Sequence, residues 1–137
     1  MNNIFLVNWL ALVIGIVISF ALGMFWYNPK VFFKKWQEAE GITDEQLKAM
    51  NPGKSMAAGL AANAVTVYAL GILINLAHIS TALGGALTGA FVAVFLITAA
   101  EINNGAFKAT KAAAYLIDGG YRLVMMAIVG ILFAVMR

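Results

Sequence analysis

Four apolar runs, roughly Ile4–Tyr27, Met56–Ile79, Leu83–Ala100 and Ile117–Met136, occupy most of this 137-residue chain. A helix rises about 1.5 Å per residue, so about 20 mostly apolar residues cover a hydrocarbon core about 30 Å thick. Each run is about that long. Inside lipid no water is present to bond the backbone, and runs of this length satisfy their own polar groups as helices. The expected fold is therefore all-α: an integral membrane four-helix bundle forming a single four-span domain over residues 1–137. A short amphipathic segment joins the first and second helices.

Charge is as scarce as the runs demand. Hydrophobic residues make up 63% of the chain and charged ones 11%, against about a quarter charged in soluble domains. A water-filled catalytic domain has no room on either side of the membrane. The absence of cysteine excludes disulfides, thiolate chemistry and thiolate metal sites. The one histidine, His78, cannot build a haem or zinc site alone, so neither metal nor cofactor is expected. The net charge of +3 follows from how the lysines are distributed, and no nucleic-acid partner is implied.

That distribution sets an orientation. Lys30, Lys34, Lys35, Lys48 and Lys54 lie between the first two spans, and Lys108 and Lys111 lie between the last two. The amino end and the connection around Ser80–Ala82 carry no Lys or Arg, and the carboxyl end carries only Arg137. Basic residues in short loops mark the cytoplasmic side. Both termini are therefore expected outside the cytoplasm. Trp9 would anchor the outer interface and Trp26-Tyr27 the inner one, about 25 Å of helix apart. The amino end, Met1-Asn2-Asn3, has no basic side chain, and the run after it is of spanning length, so the first helix is read as retained rather than as a cleaved signal.

Small residues recur at four-residue spacing within the runs: Gly15, Ser19 and Gly23; Gly85, Gly89 and Ala93; Gly130 and Ala134. Such stripes let helix backbones approach closely. Pro29 disfavours helical geometry at Asn28 and should end the first helix. Val31-Phe32-Phe33-Lys34-Lys35-Trp36 then reads as an amphipathic elbow, its aromatic rings in the headgroup region and its lysines on anionic lipid. Gly41 breaks it. Thr43 with Gln46 has the pattern of a capping box, and Asn51-Pro52-Gly53 is a turn into the alanine-rich second span. Asn63 and Asn75 suit interhelical hydrogen bonds, His78 an interface, and Met125 and Met126 the packed core.

Ionisable residues at membrane depth need a specific account. Glu101 closes the third run, with Asn103 and Asn104 just beyond it. Asp118 and Arg122 stand four apart on the fourth, the favourable order for an acid and a base on one helix face, with Tyr115 and Tyr121 near them. Antiparallel third and fourth helices would bring Glu101 level with that turn, so Arg122 would be shared by two carboxylates. This cluster is the one candidate polar site. A snorkelling arginine in a purely structural clamp accounts for the same residues. Walker-type loops, HExxH and GxSxG are all absent, and no catalytic residue is assigned.

Trp26-Tyr27-Asn28-Pro29, followed by Phe32 and Trp36, gives Trp-Tyr-x-Pro-x-x-Phe-x-x-x-Trp at the end of a first membrane helix. This resembles the bacterial membrane family known as domain of unknown function 1761. Ile117-Asp118-Gly119-Gly120-Tyr121 looks like the late Asn-x-Gly-Tyr element of that family, with Asp118 in place of the asparagine and Phe33 where glycine is common. The resemblance implies a small multi-pass protein of a bacterial inner membrane and brings no activity or cofactor with it.

Two functions are consistent with these features. One is a homo-oligomeric protein that binds or passes a solute or ion at the Glu101/Asp118/Arg122 cluster, four short helices enclosing little space alone. The other is an accessory subunit of a larger membrane complex. Membrane lipid is the expected neighbour in either case. An enzyme acting on lipid headgroups ranks behind both.

Overall fold

The structure is a computed structural model and describes residue 3 and residues 5–137. Ile4, where the first predicted span begins, and Met1-Asn2 lie outside the described residues. Among the described residues every regular element is helical, and four helical stretches are long and apolar enough to cross a membrane. The protein is a multi-pass membrane protein.

Helix α1 (Trp9–Trp26) begins at Asn8, whose side chain accepts from the amides of Leu10 and Ala11. It stops just before Asn28-Pro29, as the proline requires. Short helices α2 (Phe33–Glu40) and α3 (Asp44–Ala49) come next. Between them Gly41 sits at φ 71°, the left-handed conformation that glycine adopts without a Cβ penalty. Thr43 and Gln46 form the predicted capping box, each bonding the other's backbone amide. Helix α4 (Pro52–Leu76) starts with proline in its first turn, where a missing N–H costs nothing.

The third crossing is a composite of α5 (Ala82–Phe91), a π-helical segment Val92–Thr98 and α6 (Ala99–Ala106). Helix α7 (Ala112–Val135) completes the chain. Several predicted boundaries shift, the first helix among them, which begins at Trp9. The third run does not end at Ala100 but continues through Glu101 to Ala106. The fourth helix begins five residues earlier than Ile117, because the alanines and Tyr115 ahead of it are good enough helix formers to extend an apolar run. Gly119-Gly120, close to the expected start at Ile117, therefore lies inside the helix. The second helix runs from Pro52 to Leu76, since an Asn51 cap and a proline start a helix well before the hydropathy rises.

Helix α7 is the hub. It packs against α1, α4, α5, the π segment and α2, and its inward face (Met125, Met126, Val129, Phe133) meets Val67, Leu70 and Ile74 of α4 and Ala11 of α1. The tightest pair is α5 with α7. A Cβ placed on Gly89 would fall on the carbonyl of Met126, and one on Gly85 would fall on that of Gly130. Lipid supplies little hydrophobic drive between helices, so this contact rests on dispersion and on backbone C–H···O approaches that only small residues allow. The stripe on α1 is used the same way: Gly15 faces Val67 and Val129, Ser19 is fully buried, and Gly23 faces Tyr121. All three small-residue stripes are thus consumed inside one chain.

At one end of the bundle Asn8 Nδ2 donates to the carbonyl of Met136, and Asn75 Nδ2 donates to that of Leu6. His78, exposed and at φ 52°, turns the chain there. The opposite end carries both lysine-bearing connections, α2 and α3. There α4 stands apart, and every residue from Pro52 to Ala62 is exposed.

Candidate functional site

The lysine-bearing end is organised around Asp118, in the second turn of α7. Its two oxygens serve α1 and α2: Tyr27 Oη donates to Oδ1, and Trp36 Nε1 donates to Oδ2 at 3.3 Å. Beside it, Trp26 Nε1 donates to the carbonyl of Ile117 at 2.9 Å. The Trp26 ring can lie there because Gly120 has no Cβ, which would stand 3.0 Å from it. Phe32 rests on Trp26 with ring centroids 5.0 Å apart, and Tyr27 meets Trp36 edge to face at 5.9 Å. The two sequence motifs, about ninety residues apart, are two halves of one contact.

This corrects the reading of the elbow as a lipid anchor. Trp26, Tyr27, Phe32 and Trp36 are all partly buried and turned toward α7 or toward one another. Their polar atoms explain the difference: in the headgroup region indole and phenol donors would meet lipid or water, whereas here a carboxylate and a helix carbonyl receive them. Trp9, by contrast, is 72% exposed near the far end.

Tyr121, on the next turn from Asp118, ties three helices. Its hydroxyl donates to the carbonyl of Ser19 on α1 at 2.8 Å and accepts from Asn63 Nδ2 on α4 at 3.4 Å. Arg122, its guanidinium 5.7 Å from the centre of the Tyr121 ring, has its Nε 3.7 Å from Glu101 Oε1. Asp118 makes no ion pair with the arginine among the described residues, its two oxygens accepting from Tyr27 and Trp36. Arg122 thus pairs with one carboxylate rather than two. Both partners of that pair are about a third exposed, so its contribution to stability is small.

The π segment lies just ahead of Glu101. Hydrogen bonds closing five residues back widen the helix and rotate the turns beyond it, a distortion that often accompanies functional sites. From the end of this segment onward the side chains have spare bonding capacity. Thr98 Oγ1, Glu101 Oε2 and Tyr115 Oη are shielded from solvent and have no partner among the described residues.

Two cavities share this chemistry. One, of about 610 Å³, is walled by Tyr27, Phe33, Trp36, Glu101, Asp118 and Arg122. It adjoins a cleft of about 310 Å³ between α1 and α4, reaching Phe20, Met24 and Asn63. The second, of about 200 Å³, holds Glu40, Glu101, Asn104, Lys108, Tyr115 and Asp118. Burial, and then the charge of Asp118, push the Glu40 carboxyl above the usual carboxylate range, with Lys108 opposing. Of the predicted cluster, Glu101, Asp118, Tyr121 and Arg122 come together and Asn104 lines the small cavity. Asn103 is exposed and takes no part in either. Glu40, Phe33 and Tyr115 were not assigned to the cluster from sequence. The signal for Glu40 was its place one turn beyond Trp36 on α2, hence on the same face. No grouping of His, Asp and Glu suited to a metal occurs among the described residues.

Fold and site together define a small four-crossing membrane protein with a half-buried acidic and aromatic cavity at one end of the bundle. A family profile described as Protein of unknown function (DUF1761) matches residues 10–134, and the chain belongs to that family. The match spans both halves of the Asp118 contact. No curated protein and no solved structure shows significant similarity to the chain.

Proposed function

We propose that this protein binds a small solute or ion in the cavity around Glu101, Asp118 and Arg122. The observation that carries the reading is a set of three ionisable side chains, half-buried at the end of a membrane bundle, around a space of about 610 Å³. That volume lies within the usual range for small-molecule sites. A clamp needs its polar atoms paired, yet Glu101, on the wall of this cavity, keeps its Oε2 without a partner among the described residues. By the distribution of lysines the cavity faces the cytoplasm of a bacterial inner membrane, with both termini outside.

Passage across the membrane needs more than one chain. The far half of the bundle is filled by Leu70, Ile74, Val129 and Phe133, so the cavity is closed below. A homo-oligomer joined along the uncovered half of α4, where Ala57, Ala58, Gly59, Ala61 and Ala62 are all exposed, would place cavities beside a shared seam. Flux in proteoliposomes tests this. The expected result is movement of at least one solute or ion above empty vesicles, reduced in Glu101→Gln. No movement across a broad panel removes the transport part of the reading.

The same uncovered face of α4 supports a second reading, an accessory subunit that seats this helix against a different membrane protein. A constant heteromeric partner on gentle isolation would favour it.

A further inference from the structure

Resting on the binding role just proposed, we infer that the ligand of the larger cavity is an organic cation: an ammonium-type group on an apolar body. The charge balance gives the sign. Arg122 is matched by Glu101 at 3.7 Å, whereas among the described residues Asp118 meets only the neutral donors of Tyr27 and Trp36. One negative charge is left over on the wall. The neighbouring small cavity adds Glu40 and Lys108, one of each sign, and leaves that excess unchanged. An anion would meet two carboxylates for one arginine that is already paired.

The rings give the chemical class. Tyr27 and Trp36 stand at 78° to each other, and Phe33 lies 5.8 Å from Trp36. All three line the cavity together with Asp118 and Glu101. Aromatic rings beside a carboxylate suit a weakly hydrated cation, which the ring quadrupoles attract, and a desolvated ammonium gains most. A bare metal ion would want more oxygen ligands than are present. The adjoining cleft toward Phe20, Met24 and Met56 offers an apolar side for the ligand's body. Its ammonium group is either that of a free amine or that of a lipid headgroup.

The test uses the full chain in an uncharged maltoside detergent, titrated with benzyltrimethylammonium while tryptophan fluorescence is followed. Neopentylbenzene, its uncharged isostere, and phenylacetate are the controls. The expected result is saturable binding of the cation alone, weakened about tenfold or more in Asp118→Asn. That variant can still satisfy both neighbours, accepting from Trp36 through its carbonyl and donating to the Tyr27 oxygen through its amide. An unchanged unfolding midpoint checks that it remains folded. Repeating the titration in nanodiscs with and without an ethanolamine-headgroup lipid separates the sources. Competition by that lipid assigns the site to a headgroup, and its absence assigns it to a free amine. Equal affinity in folded Asp118→Asn, or equal response to all three probes, overturns the inference. Saturable binding of phenylacetate alone overturns the cation while leaving a solute site intact. No saturation with any probe removes the binding reading as well.

Discussion

Replacing Asp118 by alanine should loosen the docking of α2 on the bundle without unfolding it. Asp118 is the acceptor for two donors that reach it from different elements, Tyr27 Oη and Trp36 Nε1. The Tyr27 bond ties the end of α1, so what α2 itself loses is the Trp36 bond, and a hydrogen bond to a charged group contributes about 1.5–3 kcal/mol. The lower figures measured for polar bonds deep in membrane helices, averaging about 0.6 kcal/mol, apply less well here, because an undocked α2 exchanges this bond for water rather than for another partner in lipid. At about 1.4 kcal/mol per tenfold, docking weakens roughly 10- to 140-fold. The remaining contacts, Phe32 on Trp26 and the Lys111 amide on the Ala39 carbonyl at 3.2 Å, leave the docked form populated. Amide hydrogen exchange reads this directly: the amides from Trp36 to Gly41 should exchange faster by about that factor, while those of α5 and the second half of α7 stay unchanged. Asp118→Asn should restore most of the protection. Exchange within about threefold of the parent in Asp118→Ala would refute the role given to this carboxylate.

Gly89→Leu should destabilise the bundle by about 1–3 kcal/mol or more, since the added side chain must force α5 and α7 apart at the Met126 carbonyl; unfolding in a mixed detergent series measures it. Gly59→Leu, where a Cβ meets nothing within 4 Å, should leave that stability within about 0.5 kcal/mol. If α4 joins copies of the chain, Gly59→Leu should instead shift the oligomer toward monomer in size-exclusion light scattering. Tyr121→Phe removes the bond to the Ser19 carbonyl and should cost about 0.6–1.7 kcal/mol in the same unfolding series. Because the folded state raises the Glu40 pKa, the protonated form favours folding: docking of α2 is fullest below the ordinary glutamate range and weakens as pH rises through the raised pKa. Exchange of the α2 amides, corrected for intrinsic rates, should show that slope, and Glu40→Gln should flatten it.

The four crossings were legible because length and hydropathy leave a chain in lipid few alternatives. The cap at Thr43 and the breaks at Pro29 and Gly41 were legible because each arises from one residue's local chemistry. The small-residue stripes could be read as contact faces, but not as to which partner they contact: a glycine stripe looks the same whether its neighbour is in the same chain or another. The π segment has no marker in Val92–Thr98, since its residues are as apolar as any lipid-facing run. The aromatic elbow was assigned the wrong environment for a similar reason. Tryptophan and tyrosine suit an interface and a docked contact equally, and what decides between them is an acceptor far along the chain. Asp118 itself was recognised, but spacing alone favoured its i+4 arginine over the two donors that occupy it.

Native mass spectrometry of the protein released gently from its own membrane tests the central claim most directly. A ligand-binding site predicts a retained small cationic adduct that is present on the parent chain and lost from Asp118→Asn, in a monomer or homo-oligomer. A heteromer of constant composition, with no adduct that depends on Asp118, would contradict it and make the cavity a structural joint in a larger assembly.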